Sequence, residues 1–267
     1  MAHRILILIF FGLLFNSCGE YQKVLKSTDA EYKFAKAVEY YEAEQYNRAY
    51  PLFDELLTIF RGSSKAAEVY FYYAYTNFHL EDYILAAYHF KNFQKTFPNS
   101  EEAPEAAFMV GYCYFLESPV YSLDQTYTYK AINELQLFAN THPDSPKLYE
   151  CNELIIELRQ KLEKKSFEIA KLYYDTRNYQ AAVVAFNNTL NDYPGTKYRK
   201  EAMFLRLRSA YELAQNSIES KKLQRFIESQ TAYFELVEKF PESKEAENAS
   251  AMYEKIQSEI NTIKQQS

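Results

Sequence analysis

The chain has no tryptophan and, in 267 residues, only five glycines, four histidines and three cysteines. Each scarcity removes a kind of chemistry. Gly12, Gly19, Gly62, Gly111 and Gly195 are isolated, so no glycine-rich loop is available to cradle a phosphate. His3, His79, His89 and His142 are scattered without the His-Glu-x-x-His spacing of a zinc enzyme, and no two cysteines stand at zinc-ribbon distance. Without indole rings there is no tryptophan-lined sugar site. A formal net charge of −6 with no offsetting basic patch argues against a general nucleic-acid surface. These absences lead us to expect a non-enzyme with no metal, no cofactor and no nucleic-acid partner. Few glycines and few β-branched runs also argue for helices joined by tight polar turns.

What the chain has is 48% hydrophobic residues, with 26 Tyr and 20 Phe among them. The first 17 residues differ from the rest: a basic start at Arg4 is followed by an apolar run from Ile5 to Phe15. A helix needs roughly 20 apolar residues to cross a bilayer core, so this run reads as a cleaved secretion signal instead of a permanent span. It leads into Phe15-Asn16-Ser17-Cys18-Gly19, which resembles a bacterial lipobox; the resemblance implies cleavage before Cys18 and a lipid on its thiol. The alternative is an ordinary signal with Cys18 incidental. Cys113 and Cys151 both fall within helical apolar patterns and are expected to be buried thiols.

A short phrase recurs at expected helix ends: Phe97-Pro98-Asn99-Ser100, His142-Pro143-Asp144-Ser145, Tyr193-Pro194-Gly195-Thr196 and Phe240-Pro241-Glu242-Ser243, with Phe60-Arg61-Gly62-Ser63 as a first copy lacking proline. Proline stops the preceding helix, and the Ser or Thr two places on is expected to cap the next. At one fixed distance before each phrase stands a small residue, Ala49, Ala86, Ala131, Ala182 or Ser229, where two helices of a hairpin could cross closely. Four places later come Phe53, Phe90, Leu135, Phe186 and Tyr233; three places earlier come Tyr46, Tyr83, Thr128, Tyr179 and Phe226. A further small residue, Ala37, Ala74 or Ala170, precedes the crossing residue in three copies. These offsets resemble the tetratricopeptide repeat and imply an all-α superhelix of about five helical hairpins. Later copies are longer than the family's typical length of about 34. The extra residues are expected in a loop at 118–125, in a charged helix at 146–165, and in a turn at 216–222.

In such a stack the first helices line a concave face that takes a partner. In copies one to three four sets recur at constant spacing: Glu31, Glu68, Glu105; Phe34, Phe71, Phe108; Val38, Tyr75, Tyr112; and Tyr41, Phe78, Phe115. They describe either an aromatic ladder with an acidic edge, suited to an extended or helical segment bearing aromatic side chains, or the seam between neighbouring hairpins. Copy five repeats part of the pattern at Glu201, Phe204, Arg208 and Tyr211, a second candidate partner surface. The regular spacing of the three glutamates marks repeat positions, not a general acid and base. The expected organisation is a signal at 1–17, an anchored linker at 18–29, repeats one to three at 30–145, an added helix with repeats four and five at 146–257, and a tail at 258–267.

The lipoprotein signal, about five hairpins, an insertion in the third, the charged lead-in from Glu157 to Glu163 before Phe167, and Asn178-Tyr179-Gln180-Ala181-Ala182-Val183 together resemble the BamD, or competence lipoprotein, family. The resemblance implies an outer-membrane lipoprotein on the periplasmic face, anchored through Cys18. It implies two partners: a BamA-like barrel subunit at the carboxy-terminal lobe, and nascent outer-membrane barrel proteins at the amino-terminal lobe. Other envelope repeat lipoproteins, pilotin-like or coordinating cell-envelope growth, and a glycan-binding lipoprotein are the alternatives.

Overall fold

A computed structural model of the chain describes residues 19–266. Helix α1 covers residues 19–26. It is followed by α2 (Ala30–Glu42), α3 (Tyr46–Ile59), α4 (Ala66–His79), α5 (Tyr83–Thr96), α6 (Ala103–Glu117) and α7 (Thr126–Thr141). Then come α8 (Leu148–Asp175), α9 (Tyr179–Asp192), α10 (Arg199–Gln215), α11 (Glu219–Lys239) and α12 (Lys244–Gln266). There is no strand among the described residues. The protein is an all-α array of tetratricopeptide-like hairpins: α2–α3, α4–α5, α6–α7, the second half of α8 with α9, and α10–α11.

The small residues sit where the hairpins close. Ala37, Ala49, Ala74, Ala86, Ala131, Ala170, Ala182 and Ser229 are all fully buried. The third hairpin uses Gly111 at this crossing, where a Cβ would lie 2.7 Å from Leu135 Cγ and Cδ2. The large residue that follows each crossing fills the interior: Phe53, Phe90, Leu135 and Phe186 are fully buried, and each contributes roughly 1.5–3 kcal/mol of transfer free energy.

The described chain parts into two compact units after Leu158, within α8. One core is built on Val24, Phe34, Leu52, Phe53 and Val69, the other on Phe167, Phe186, Leu207, Phe226 and Leu236. The charged helix expected at 146–165 is not separate from hairpin four: it is continuous with that hairpin's first helix, giving the 28 residues of α8. The extra residues at 216–222 mostly lengthen α11, which starts at Glu219, so the turn is only Asn216 to Ile218. The loop at 118–125 is as read. It is held by buried Gln125, whose Nε2 donates to Val120 O and Leu123 O at 3.0 Å each and whose Oε1 accepts from Thr128.

Three hairpin turns have one construction. Gln45, Asp82 and Asn178 donate their N–H to Tyr40 O, Asn77 O and Tyr173 O, while Glu44, Glu81 and Arg177 donate to Tyr41 O, Phe78 O and Tyr174 O. This double bond pattern closes a helix with one left-handed residue. Here those residues are Glu44, Glu81 and Arg177, at φ of 57°, 63° and 61°. An L side chain at such a φ costs roughly 1–2 kcal/mol, part of which glycine would recover after its own entropy cost. Replacing any of the three by glycine is expected to raise stability by about 0.5–1 kcal/mol in a denaturant titration. Alanine at the same site should give no gain, and an equal gain from alanine would show that strain is not the cause.

Prolines 98, 143, 194 and 241 each follow directly on a helix C-cap, as their role as stops requires. The hydroxyls that follow do not all cap. Ser243 precedes α12 and accepts from Ala246 N at 3.1 Å, a true cap. Ser63, Ser145 and Thr196 instead accept from the N–H two places on, and a further turn intervenes before the helix starts. That turn spaces successive hairpins, which a cap placed against the helix would not do. One buried charge went unread in the sequence. Lys33, 1% exposed, donates Nζ to Leu25 O at 3.2 Å and to Glu55 Oε2 at 2.7 Å, fastening α1 to the first hairpin.

Candidate protein-binding face

In the first unit the candidate face is carried by α2, α4 and α6. Its three phenylalanines do not stand on the open side. Phe34 and Phe108 are 8% and 2% exposed and Phe71 is half-buried. Phe34 lies edge-on to Phe53 at 6.3 Å and Phe60 at 6.1 Å; Phe108 lies edge-on to Phe138 at 5.5 Å. Phe71 leans on Phe93 at 5.2 Å. Phe34 also meets Tyr72 of α4 at 6.2 Å, so this set supplies packing within and between hairpins, which corrects its place in the ladder. Lysines from the turns close over two of these rings, with Lys65 Nζ 5.2 Å from Phe34 and Lys147 Nζ 5.0 Å from Phe108.

The other two apolar sets remain half-exposed: Val38, Tyr75 and Tyr112, and Tyr41, Phe78 and Phe115. Their rings form a rail across three hairpins. Tyr41 OH meets His79 Nε2 at 3.1 Å, and the two rings are 5.5 Å apart. His79 lies 6.1 Å from Tyr75, which lies 6.2 Å from Phe78. Phe78 reaches Tyr112 at 6.0 Å, and Tyr112 stacks on Phe115 at 6.1 Å. Tyr46, His79 and Tyr83 join this rail without having been singled out for it. Tyr46 stacks on His79 at 4.4 Å and Tyr83 reaches Phe78 at 5.5 Å. Tyr46 and Tyr83 were legible only as repeat positions, and His79 only as a lone histidine.

Glu31, Glu68 and Glu105 are exposed beside the rail. Glu31 pairs with Lys65, and Glu105 accepts from Tyr75 OH. Burial first, then the Glu105 contact, pushes the Tyr75 phenol well above its ordinary value; burial does the same for Tyr41. Tyr75 and Tyr41 therefore present neutral hydroxyls. Burial lowers the pKa of His79, and also of His89, below the ordinary 6.5. A base whose pKa falls on folding contributes stability that is present above the unfolded value and lost as pH drops through the folded one. The first unit is accordingly expected to melt earlier as pH is lowered from 7.5 to 5, and the His79→Asn/His89→Asn variant to flatten that slope. An unchanged slope would place the pH dependence elsewhere.

The second set is divided. Glu201 is exposed, Phe204 half-buried and Tyr211 buried, 6.2 Å from Phe226 in the core of the second unit. Tyr211 is thus an interior residue. Arg208 holds its guanidinium 5.3 Å from Tyr174 and 5.8 Å from Phe204. Cys113 and Cys151 are buried free thiols; burial pushes Cys113 up to about 12 and Cys151 up to about 11. Cys18 and the signal at 1–17 lie outside the described residues. Among the described residues no group of three or more His, Cys, Asp or Glu side chains could hold a metal, and no helix is long and apolar enough to cross a membrane.

The family model described as YfiO, outer membrane lipoprotein, matches residues 26–225, which span all of the rail and most of the second unit. A protein of Aquifex aeolicus (strain VF5), described as a putative outer membrane protein assembly factor BamD, is 25% identical over 254 residues, covering 91% of this chain and 80% of that protein.

Proposed function

The chain belongs to the YfiO family of outer membrane lipoproteins, with a role in outer-membrane assembly, and from that premise we propose that it is the lipid-anchored scaffold subunit of a β-barrel assembly machine. In this reading Cys18 carries the lipid and the chain faces the periplasm. The first unit holds nascent barrel proteins and the second binds the BamA-like barrel subunit.

The observation that carries it is the rail of half-exposed rings from Tyr41 through Phe78 to Phe115. Aromatic rings give large contact area at low entropic cost, and neutral hydroxyls at their edges can bond a passing backbone. Barrel proteins characteristically end in an aromatic residue, and such a terminus suits a line of rings. The exposed carboxylates beside it would steer basic flanking residues.

The test is to purify the full chain, tagged after Ser267, from detergent-solubilised membranes. Stoichiometric recovery of a barrel subunit is the expected result. Recovery of a secretin in its place would overturn the assembly reading in favour of a pilotin-like one. Cys18→Ser is expected to move the protein from the membrane pellet to the soluble envelope fraction, and a variant that stays in the pellet would remove the anchor from the proposal.

A further inference from the structure

The residue that starts the first helix of one hairpin lies over a ring of the hairpin before it. Lys65, Glu102, Lys147 and Tyr198 hold this starting position: their carbonyls accept from the N–H groups of Val69, Ala106, Cys151 and Ala202. Lys65 Nζ lies 5.2 Å from the Phe34 ring and pairs with Glu31, three residues before that ring. Lys147 Nζ lies 5.0 Å from the Phe108 ring. In the second unit Tyr198 stacks on Phe167 at 4.5 Å. The three rings under these lids are 8%, 2% and 2% exposed. In hairpin five Arg208 supplies the cation, 5.8 Å from Phe204.

Hairpin two departs from this pattern. Its ring at the same position is Phe71, three residues before Ala74 as Phe167 is before Ala170, and the residue at the lid position is Glu102. The face of an aromatic ring is negative and repels a carboxylate. Among the described residues no cation and no stacked ring lies over Phe71, whose ring neighbours are Tyr75 at 4.9 Å, Phe93 at 5.2 Å and Phe90 at 6.2 Å. Phe71 packs inward on α5 and yet stays half-buried. One turn earlier stands Glu68, the counterpart of Glu31, fully open to solvent. Neither Glu68 nor Glu102 has an ion-pair partner among the described residues, and Ser100 Oγ donates to one oxygen of Glu102.

We propose that Phe71, Glu68 and Glu102 form a seat for a lysine or arginine side chain of the bound client, with its cation over the ring and against the two carboxylates. The inference rests on the reading of the first unit as the client-binding one. The chain itself shows what fits, since the equivalent rings of hairpins one and three each take an ammonium, and in hairpin one the ammonium is shared with the glutamate three residues earlier. Tyr198 shows that a ring can also act as a lid, but two unpaired carboxylates favour a cation. In hairpin two the chain puts a second carboxylate where its neighbours put a lysine, so a cation here comes from a bound molecule. Tyr75 joins the seat to the rail, because it is 4.9 Å from Phe71 and 6.2 Å from Phe78. A client can therefore lay an aromatic residue on the rail and a nearby basic one on Phe71.

Glu102→Lys gives hairpin two the lid that its neighbours have. The full chain carrying it, in detergent, is expected to melt about 1–4 °C above the parent, the scale of one exposed cation–π contact. An unchanged or lower melting temperature would show that the seat does not take a cation and would overturn the inference. Binding is then followed by fluorescence anisotropy with short peptides that end in phenylalanine and carry, at one preceding position in turn, lysine or its uncharged analogue norleucine. At one position lysine should bind about tenfold tighter than norleucine or better. Glu102→Lys should abolish that difference and Glu68→Gln should reduce it. Equal binding of lysine and norleucine at every position, or a lysine preference that persists in Glu102→Lys, would overturn the inference and leave the client reading standing. Binding by none of the peptides would overturn both.

Discussion

Phe78→Ala/Tyr112→Ala is expected to weaken binding of a peptide matching the aromatic carboxy-terminus of a barrel protein by about 30-fold or more, which is about 2 kcal/mol. These two rings carry the rail from the second hairpin to the third, 6.0 Å apart and half-exposed. Removing both interrupts the line while leaving the fully buried Phe90 and Leu135 in place. The measurement is a titration by calorimetry or fluorescence anisotropy with the chain lacking residues 1–18. Phe34→Ala and Phe108→Ala serve as contrast. Both rings are buried, so these variants should lose stability on the scale of about 3–5 kcal/mol and affect binding only through that loss. If the rail variant binds as tightly as the parent, the rail is a seam between hairpins and the client-binding surface lies elsewhere.

A second large effect is expected at the third hairpin's crossing. Any side chain at Gly111 meets Leu135, whose Cγ and Cδ2 would be 2.7 Å from the new Cβ and whose backbone N would be 3.1 Å away. The nearest atoms include the branch point of the leucine and its main chain, so rotating a side-chain tip does not relieve the overlap. Gly111→Val is expected to cost about 2–3 kcal/mol, typical of a severe overpacking, and to lower the first unit's melting temperature by several degrees. Gly111→Ala should cost less, because alanine regains roughly 1 kcal/mol of helix propensity. Leu135→Ala alone opens a cavity and should cost about 2–5 kcal/mol. The pair Gly111→Ala/Leu135→Ala should be less destabilised than the sum of its parts, since each change fills or vacates the space the other needs. Strict additivity would mean that the two residues do not share that space.

Much of the fold was legible because the repeat writes its constraints several times over. The crossing alanines, the aromatic before them and the proline after them each follow from a local requirement: close approach, interior volume, a stopped helix. The site was legible only by register. Three aligned copies locate a helical face, but they do not say whether Phe34 and Phe108 are covered and Tyr41 and Phe78 left half-exposed. Phe34 and Tyr41 stand about two turns apart on nearly the same face, and what packs over each level of the helix decides which is covered. His79 could not be read at all, since its role comes from Tyr46 stacked on it and Tyr41 bonded to it.

By itself, the sequence determined that this protein is helical and repeated, and where most of its hairpins turn. The tertiary structure alone decided which rings are core and which form a rail, and that α8 is one helix from Leu148 to Asp175. The reason is that helix formation and termination depend on neighbours a few residues away. Exposure depends instead on what a distant segment covers, and identical repeat positions meet different covers.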